Sequence, residues 1–182
     1  MGMAATIPYY TVEDLEHFPH DGNRYELLDG VLLVTPAPGN AHQLIASRIG
    51  YVLMSALQEP GHAFIYLPGA VSFPPRTQLE PDILVVPARY PLSEKWADTT
   101  EHWLAVEILS PSSRVYDREF KRNAYLALGV HEVWLVDTTD RSVEVSRVPG
   151  THETVRDALL WRVPTLDLDV AVDLSAVFAG IE

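Results

Sequence analysis

Two stretches of the chain are apolar at successive positions: Ile83-Leu84-Val85-Val86, and Trp103-Leu104-Ala105-Val106, which resumes after Glu107 with Ile108-Leu109. Runs of this kind predict strands buried on both faces of a sheet. Around them the pattern changes period. Thr11 with Asp14 three residues on predicts the cap of a short helix that Pro19 ends. Arg24 to Leu28 and Val31 to Thr35, joined by Asp29-Gly30, predict a hairpin. After Pro36-Ala37-Pro38-Gly39, Asn40 is placed to cap a long helix on which Ile45, Ile49, Val52, Leu53 and Ala56 recur at helical spacing, and Pro60-Gly61 stops it.

Further strands are expected at His62 to Leu67, Ala70 to Phe73, Asp82 to Val86 and Trp103 to Leu109, with a polar, proline-containing loop between the last two. A helix from Val115 to Leu128, closed by Gly129, precedes strands at Glu132 to Asp137 and Ser142 to Arg147. Glu153 to Trp161 and Thr165 to Val172 read as additional strands, followed by a helical turn at Leu174 to Phe178. The order predicts an α/β (α+β) architecture: a mixed central sheet flanked by helices, with an extra N-terminal hairpin and C-terminal strands.

A length of 182 residues suits one domain, 1–182. Without cysteine there is no disulfide and no thiolate metal site, which fits a reducing, cytoplasmic setting. No run is long and apolar enough to suggest a membrane span, and Met1 to Tyr10 lacks a signal-peptide pattern. The formal charge of −12 repels polyanions at long range and counts against a nucleic-acid partner, although cations held by acidic residues can reverse the local potential. Asp167, Asp169 and Asp173 read as solvated surface.

Glu107 changes the picture. An ionised carboxylate in a strand buried on both faces costs several kcal/mol unless a cation compensates it. Asp82 stands at the mouth of the other apolar strand, so neighbouring strands would let the two acids converge on one divalent ion. An all-oxygen site suits Mg²⁺ or Mn²⁺, completed by water, a substrate phosphate and a backbone carbonyl such as that of Ile108. A positive side chain is then wanted beside the ion. On the 115–128 helix, Lys121 lies at the border of the stripe Phe120, Ala124 and Leu128, with Asp117 one turn earlier to pair with it; an exposed ion pair has the same spacing. Ser110 reads as a cap between strand and helix that can also donate a hydrogen bond to the site; no nucleophile elbow surrounds it. Trp103, Trp134 and Trp161 are expected in the core.

Several spaced motifs in order, Tyr25-Glu26-Leu27-Leu28-Asp29-Gly30, His42, Pro81-Asp82, Val106 to Ser113, Asp117 with Lys121 and Tyr125, and Gly129 to Asp137, resemble the Uma-two family of restriction-endonuclease-like proteins in the PD-(D/E)XK nuclease superfamily. The likeness spans residues 11 to 178. It implies a restriction-endonuclease-like core of helix, three strands, helix and strand, with Asp82 and Glu107 as metal ligands. It also implies that Glu26 belongs to the site, where by itself it reads as an exposed strand glutamate. His42, by position a packed helix histidine, is drawn toward the site by the same likeness. Leu109 departs from the superfamily pattern, which has lysine there; the resemblance implies that Lys121 on the following helix takes that role.

The function expected is metal-dependent hydrolysis of DNA phosphodiesters by an activated water. Two alternatives differ in class: a binding or assembly module on the same fold, and a hydrolase of a small phosphorylated substrate. Nucleases that cut both strands often act as pairs of subunits, which makes a homodimer one expectation.

Overall fold

The computed structural model describes residues 9–110 and 116–181. Its first strands, β1 (Arg24–Leu28) and β2 (Val31–Thr35), form the expected hairpin. Asp29 and Gly30 both adopt positive φ, +50° and +80°, as the tight turn requires. The helix α1 (Asn40–Leu53) buries Ile45, Ile49 and Leu53 and runs on into a π turn, Met54–Gln58. β3 (Ala63–Tyr66), β4 (Val71–Phe73) and β5 (Thr77–Leu79) follow, then the two strands buried throughout, β6 (Ile83–Pro87) and β7 (Leu104–Leu109), the second interrupted by Glu107. After a second π turn, Asp117–Lys121, come α2 (Arg122–Ala127), β8 (Glu132–Asp137), β9 (Ser142–Ser146), β10 (Glu153–Val155), β11 (Ala158–Arg162), β12 (Asp169–Asp173) and α3 (Leu174–Val177).

A six-stranded sheet in the order β10-β9-β8-β7-β6-β3 forms the centre, parallel only between β7 and β8. Its alternating side chains fill two separate cores. Ile83, Val85, Leu104, Val106 and Ile108 pack with α1 and with the β11–β12 ribbon. Leu84, Val86, Ala105 and Leu109 pack on the other face with Tyr125 and with Val71 and Leu79 of a four-stranded sheet ordered β2-β1-β5-β4. Both faces being covered explains why these strands lack alternation. The three tryptophans named above are 2 % exposed or less, and Trp134 meets Trp161 edge to face at 5.8 Å.

Three expectations need correcting. β5 lies where no strand was expected, because its three residues carry only the weak pattern Thr-Gln-Leu. Glu153 to Trp161 is two strands, β10 pairing with β9 and β11 with β12. The helix expected over 115–128 is a π turn followed by a short α-helix, so a stripe drawn at helical spacing fails: Phe120 is 54 % exposed, while Asp117, Lys121 and Tyr125 point inward. Residues 111–115, including the start of that helix, lie outside the described residues.

Candidate active site

The pairing of β6 with β7 builds the site. Their antiparallel register sets Ile83 against Val106, and Asp82, immediately ahead of β6, reaches past that pair to the Ile108 amide next to Glu107. Glu107 shares its face of β7 with Ala105 and Leu109, and is 3 % exposed. Its Oε1 accepts from the Tyr125 hydroxyl at 2.6 Å and lies 2.6 Å from Lys121 Nζ. Lys121 in turn reaches both oxygens of Glu26, at 2.9 and 3.1 Å, and lies 4.0 Å from Asp117 Oδ1. The Glu80 amide donates to Glu26 Oε1 at 2.7 Å, so the end of β5 fixes the acid contributed by β1.

Asp82 is held separately. Its Oδ1 accepts from Arg24 Nη2 at 3.0 Å and lies 3.1 Å from His42 Nε2, while its Oδ2 accepts from the Ile108 N–H at 2.8 Å. His42 is thus brought from the first turn of α1 onto the carboxylate. In an extended strand the N–H and C=O of one residue face the same neighbour, so the Ile108 carbonyl is turned toward the Asp82 side as well. Ser110 follows β7 directly; the helix start it was read as capping falls in residues 111–115, outside the described residues.

The electrostatics are unbalanced. Glu26, Asp82, Glu107 and Asp117 are each 6 % exposed or less, and among the described residues the lysine and arginine beside them are Lys121 and Arg24, with His42 on Asp82. Burial, together with Asp82, Asp117 and Glu26, pushes Glu107 up to about 8 even though Lys121 draws it down. Burial works against the charge of Lys121, yet Glu107, Glu26 and Asp117 outweigh it and raise its pKa. For Asp82, burial is outweighed by the His42 contact, Arg24 and the Ile108 amide, and its pKa is lowered. Tyr125, buried against Glu107, is raised well above the ordinary phenol value and stays a hydrogen-bond donor.

Among the described residues no three His, Asp or Glu side chains are gathered into a ready cage for a metal ion. The donor set nevertheless suits a hard cation that keeps several waters: two carboxylates on facing strands, one with its second oxygen fixed by a backbone amide, and no soft ligand. Arg24 and Lys121 hold positive charge against these oxygens.

Sequence reasoning singled out the acids, Lys121 and His42 but gave no role to Arg24 or Tyr125. Both were accessible to periodicity. Arg24 stands two residues before Glu26, on the same face of β1, and Tyr125 one helical turn beyond Lys121. Asp117 and Lys121, for which an exposed ion pair was an equal reading, are each 3 % exposed, and Glu26 is 1 % exposed instead of solvated.

Two openings adjoin the cluster. A cleft of about 890 Å³ meets it at Arg24 and Glu80 and is walled elsewhere by the N-terminal turn, the β4–β5 hairpin and the loop around Trp96. A smaller pocket of about 280 Å³ has Glu26 and Asp117 in its lining.

Comparison with known proteins agrees with this fold. No protein of curated description matches the sequence. A crystal structure at 1.96 Å, described as a putative nuclease belonging to DUF820 from Anabaena variabilis ATCC 29413, superposes with a TM-score of 0.75. At 23 % identity over 92 % of this chain and 97 % of that one, it shows a shared fold. The model of the Uma2 family, described as "Putative restriction endonuclease", matches residues 12–178. The chain therefore belongs to the Uma2 family of restriction-endonuclease-like proteins.

Proposed function

We propose that this protein is a Mg²⁺- or Mn²⁺-dependent endonuclease that hydrolyses DNA phosphodiesters at the Asp82–Glu107–Lys121 cluster. The observation that carries the reading is the burial of Asp82, held on the Ile108 amide, beside Glu107 of β7, with Lys121 at 2.6 Å from Glu107. Asp82 and Glu107 would hold the ion, with the Ile108 carbonyl available on the same side. A cation bound there would supply Lewis acidity toward a phosphate oxygen and lower the pKa of a water.

The chain's own residues do the rest. Arg24, His42 and the Ile108 amide fix the Asp82 carboxylate, and Tyr125 fixes Glu107. Lys121, kept protonated by three acids, orients the attacking oxygen and offsets negative charge developing on the phosphoryl oxygens. Glu26 and Asp117 position that ammonium. The family membership supports a nuclease, and the buried, preorganised lysine favours catalysis over a binding module alone.

Cleavage of supercoiled plasmid and single-stranded DNA in Mg²⁺ or Mn²⁺ tests this. The wild type is expected to cut, and Glu107→Ala and Lys121→Ala to lose cutting while Arg162→Ala, remote on β11, keeps it. A wild type that cuts neither DNA, or a Glu107→Ala protein that still cuts, would overturn the proposal.

A further inference from the structure

Asp82 is already engaged at both of its oxygens. Oδ1 accepts from Arg24 Nη2 at 3.0 Å and lies 3.1 Å from His42 Nε2, and Oδ2 accepts from the Ile108 amide at 2.8 Å. A carboxylate offers about four lone-pair sites, so a metal ion must compete for this one. The contacts differ in kind. The Ile108 N–H is an uncharged donor fixed in the strand, and its place on Oδ2 does not oppose a cation on Oδ1. Arg24 does oppose one, because a guanidinium cannot shed its charge to make room.

Arg24 also has space to turn into. It is the first residue of β1, its side chain is 20 % exposed, and it lines the cleft of about 890 Å³. Its Nη1 donates to the Glu80 carbonyl at 2.9 Å, so the guanidinium spans from that carbonyl to Asp82. The half-buried carboxyl of Glu80 lines the same cleft; burial and Glu26 raise its pKa, and Arg24 draws it down. A second carboxylate therefore stands within the field of the Arg24 charge, beside the space its side chain can enter.

We infer that Arg24 stands in for the divalent cation at Asp82 while the site is metal-free, and gives up that carboxylate, turning into the cleft, when the ion binds. This rests on the reading that Asp82 and Glu107 hold a metal ion, and it assigns Arg24 the part of an internal competitor for that ion. The contact compensates Asp82 so that the cluster folds without metal, and it lowers the affinity for the cation that replaces it.

Isothermal titration of the full chain with Mn²⁺ tests this in the wild type, in Arg24→Gln and in Lys95→Gln, which removes an exposed lysine of the same cleft. Arg24→Gln is expected to bind Mn²⁺ at least about tenfold more tightly than the wild type, the size of one charge-assisted hydrogen bond that no longer competes. Lys95→Gln is expected to bind as the wild type does. An Arg24→Gln protein that binds equally or more weakly makes Arg24 a strut of the metal site and overturns the inference; a gain of the same size in Lys95→Gln marks a general effect of charge and also overturns it. A crystal structure of the wild type grown with Mn²⁺ keeps the test open if Arg24→Gln does not fold. Arg24 is expected beyond hydrogen-bond distance of Asp82 there, and an ion bound with that contact intact overturns the displacement. In each of these contrary results Mn²⁺ still binds, so the metal site of the nuclease reading stands; no Mn²⁺ bound at Asp82 in any of the proteins overturns both.

Discussion

Two clusters of charge lie against the same helical segment, one on each side of the π turn. Outward, Arg118 pairs with Asp137 at 2.8 Å and Glu144 at 2.7 Å, and Arg122 with Glu144 at 3.1 Å. Two acids meet two arginines there, with the guanidinium of Arg118 partly exposed. Inward, four buried acids meet Lys121 and Arg24. Among the described residues the outer cluster is balanced, and it clamps the segment to β8 and β9. Among the described residues the inner cluster holds more acids than lysines and arginines, at a cost that folding alone does not explain, since apolar residues of similar size would be as stable or more so. A cluster left short of positive charge is suited to take up more of it when a metal ion arrives.

The comparison breaks most visibly at Lys121. Lys121→Met leaves the acids without their ammonium and should cost roughly 3–5 kcal/mol in urea denaturation, the price of uncompensated buried charge. Combining it with Glu107→Gln should recover part of that loss.

A third group sharpens the contrast because its ring nitrogens have no hydrogen-bond partner among the described residues. His102 is fully buried, neither ring nitrogen is hydrogen-bonded, and burial lowers its pKa to about 4. Between that value and the ordinary 6.5 the unfolded chain binds the extra proton, so stability rises with pH across this window and is lost as pH falls. Going from about pH 7 to about pH 5 should remove about 2 kcal/mol, and His102→Leu should flatten that slope. An acid limb unchanged in the variant would contradict this assignment.

Smaller effects separate the clusters by sign. Glu107→Gln removes a carboxylate that burial and its acidic neighbours disfavour, and should stabilise the metal-free protein by roughly 1–2 kcal/mol while ending cleavage. Glu144→Gln, in the balanced cluster, should destabilise by about 1 kcal/mol or less because its arginine partners are partly solvated. Thermal melts of both proteins without metal would show opposite shifts.

Much of this was legible in the sequence because burial on both faces leaves a plain mark. The bounds of β1, β2 and β8 follow from apolar runs and turn residues, and Glu107 stands out as the only charge in β7. What stayed hidden depends on tertiary packing. β5 is three residues long, and its role is to present the Glu80 amide to Glu26. The π turn shifts the inward face onto Asp117, Lys121 and Tyr125, so an even helical stripe led to Phe120 instead. Arg24, to which the pattern gave no role, meets Asp82 only through the tertiary packing of β1 beside the start of β6.

The central claim is that the inner cluster's surplus of acid exists to hold a divalent cation. Isothermal titration with Mn²⁺ at neutral pH tests it most directly, comparing the wild type with Asp82→Asn, Glu107→Gln and Glu144→Gln. The account predicts saturable binding to the wild type and to Glu144→Gln, with binding lost in the other two. Binding that persists in Asp82→Asn and Glu107→Gln, or no binding to the wild type at millimolar Mn²⁺, would contradict it.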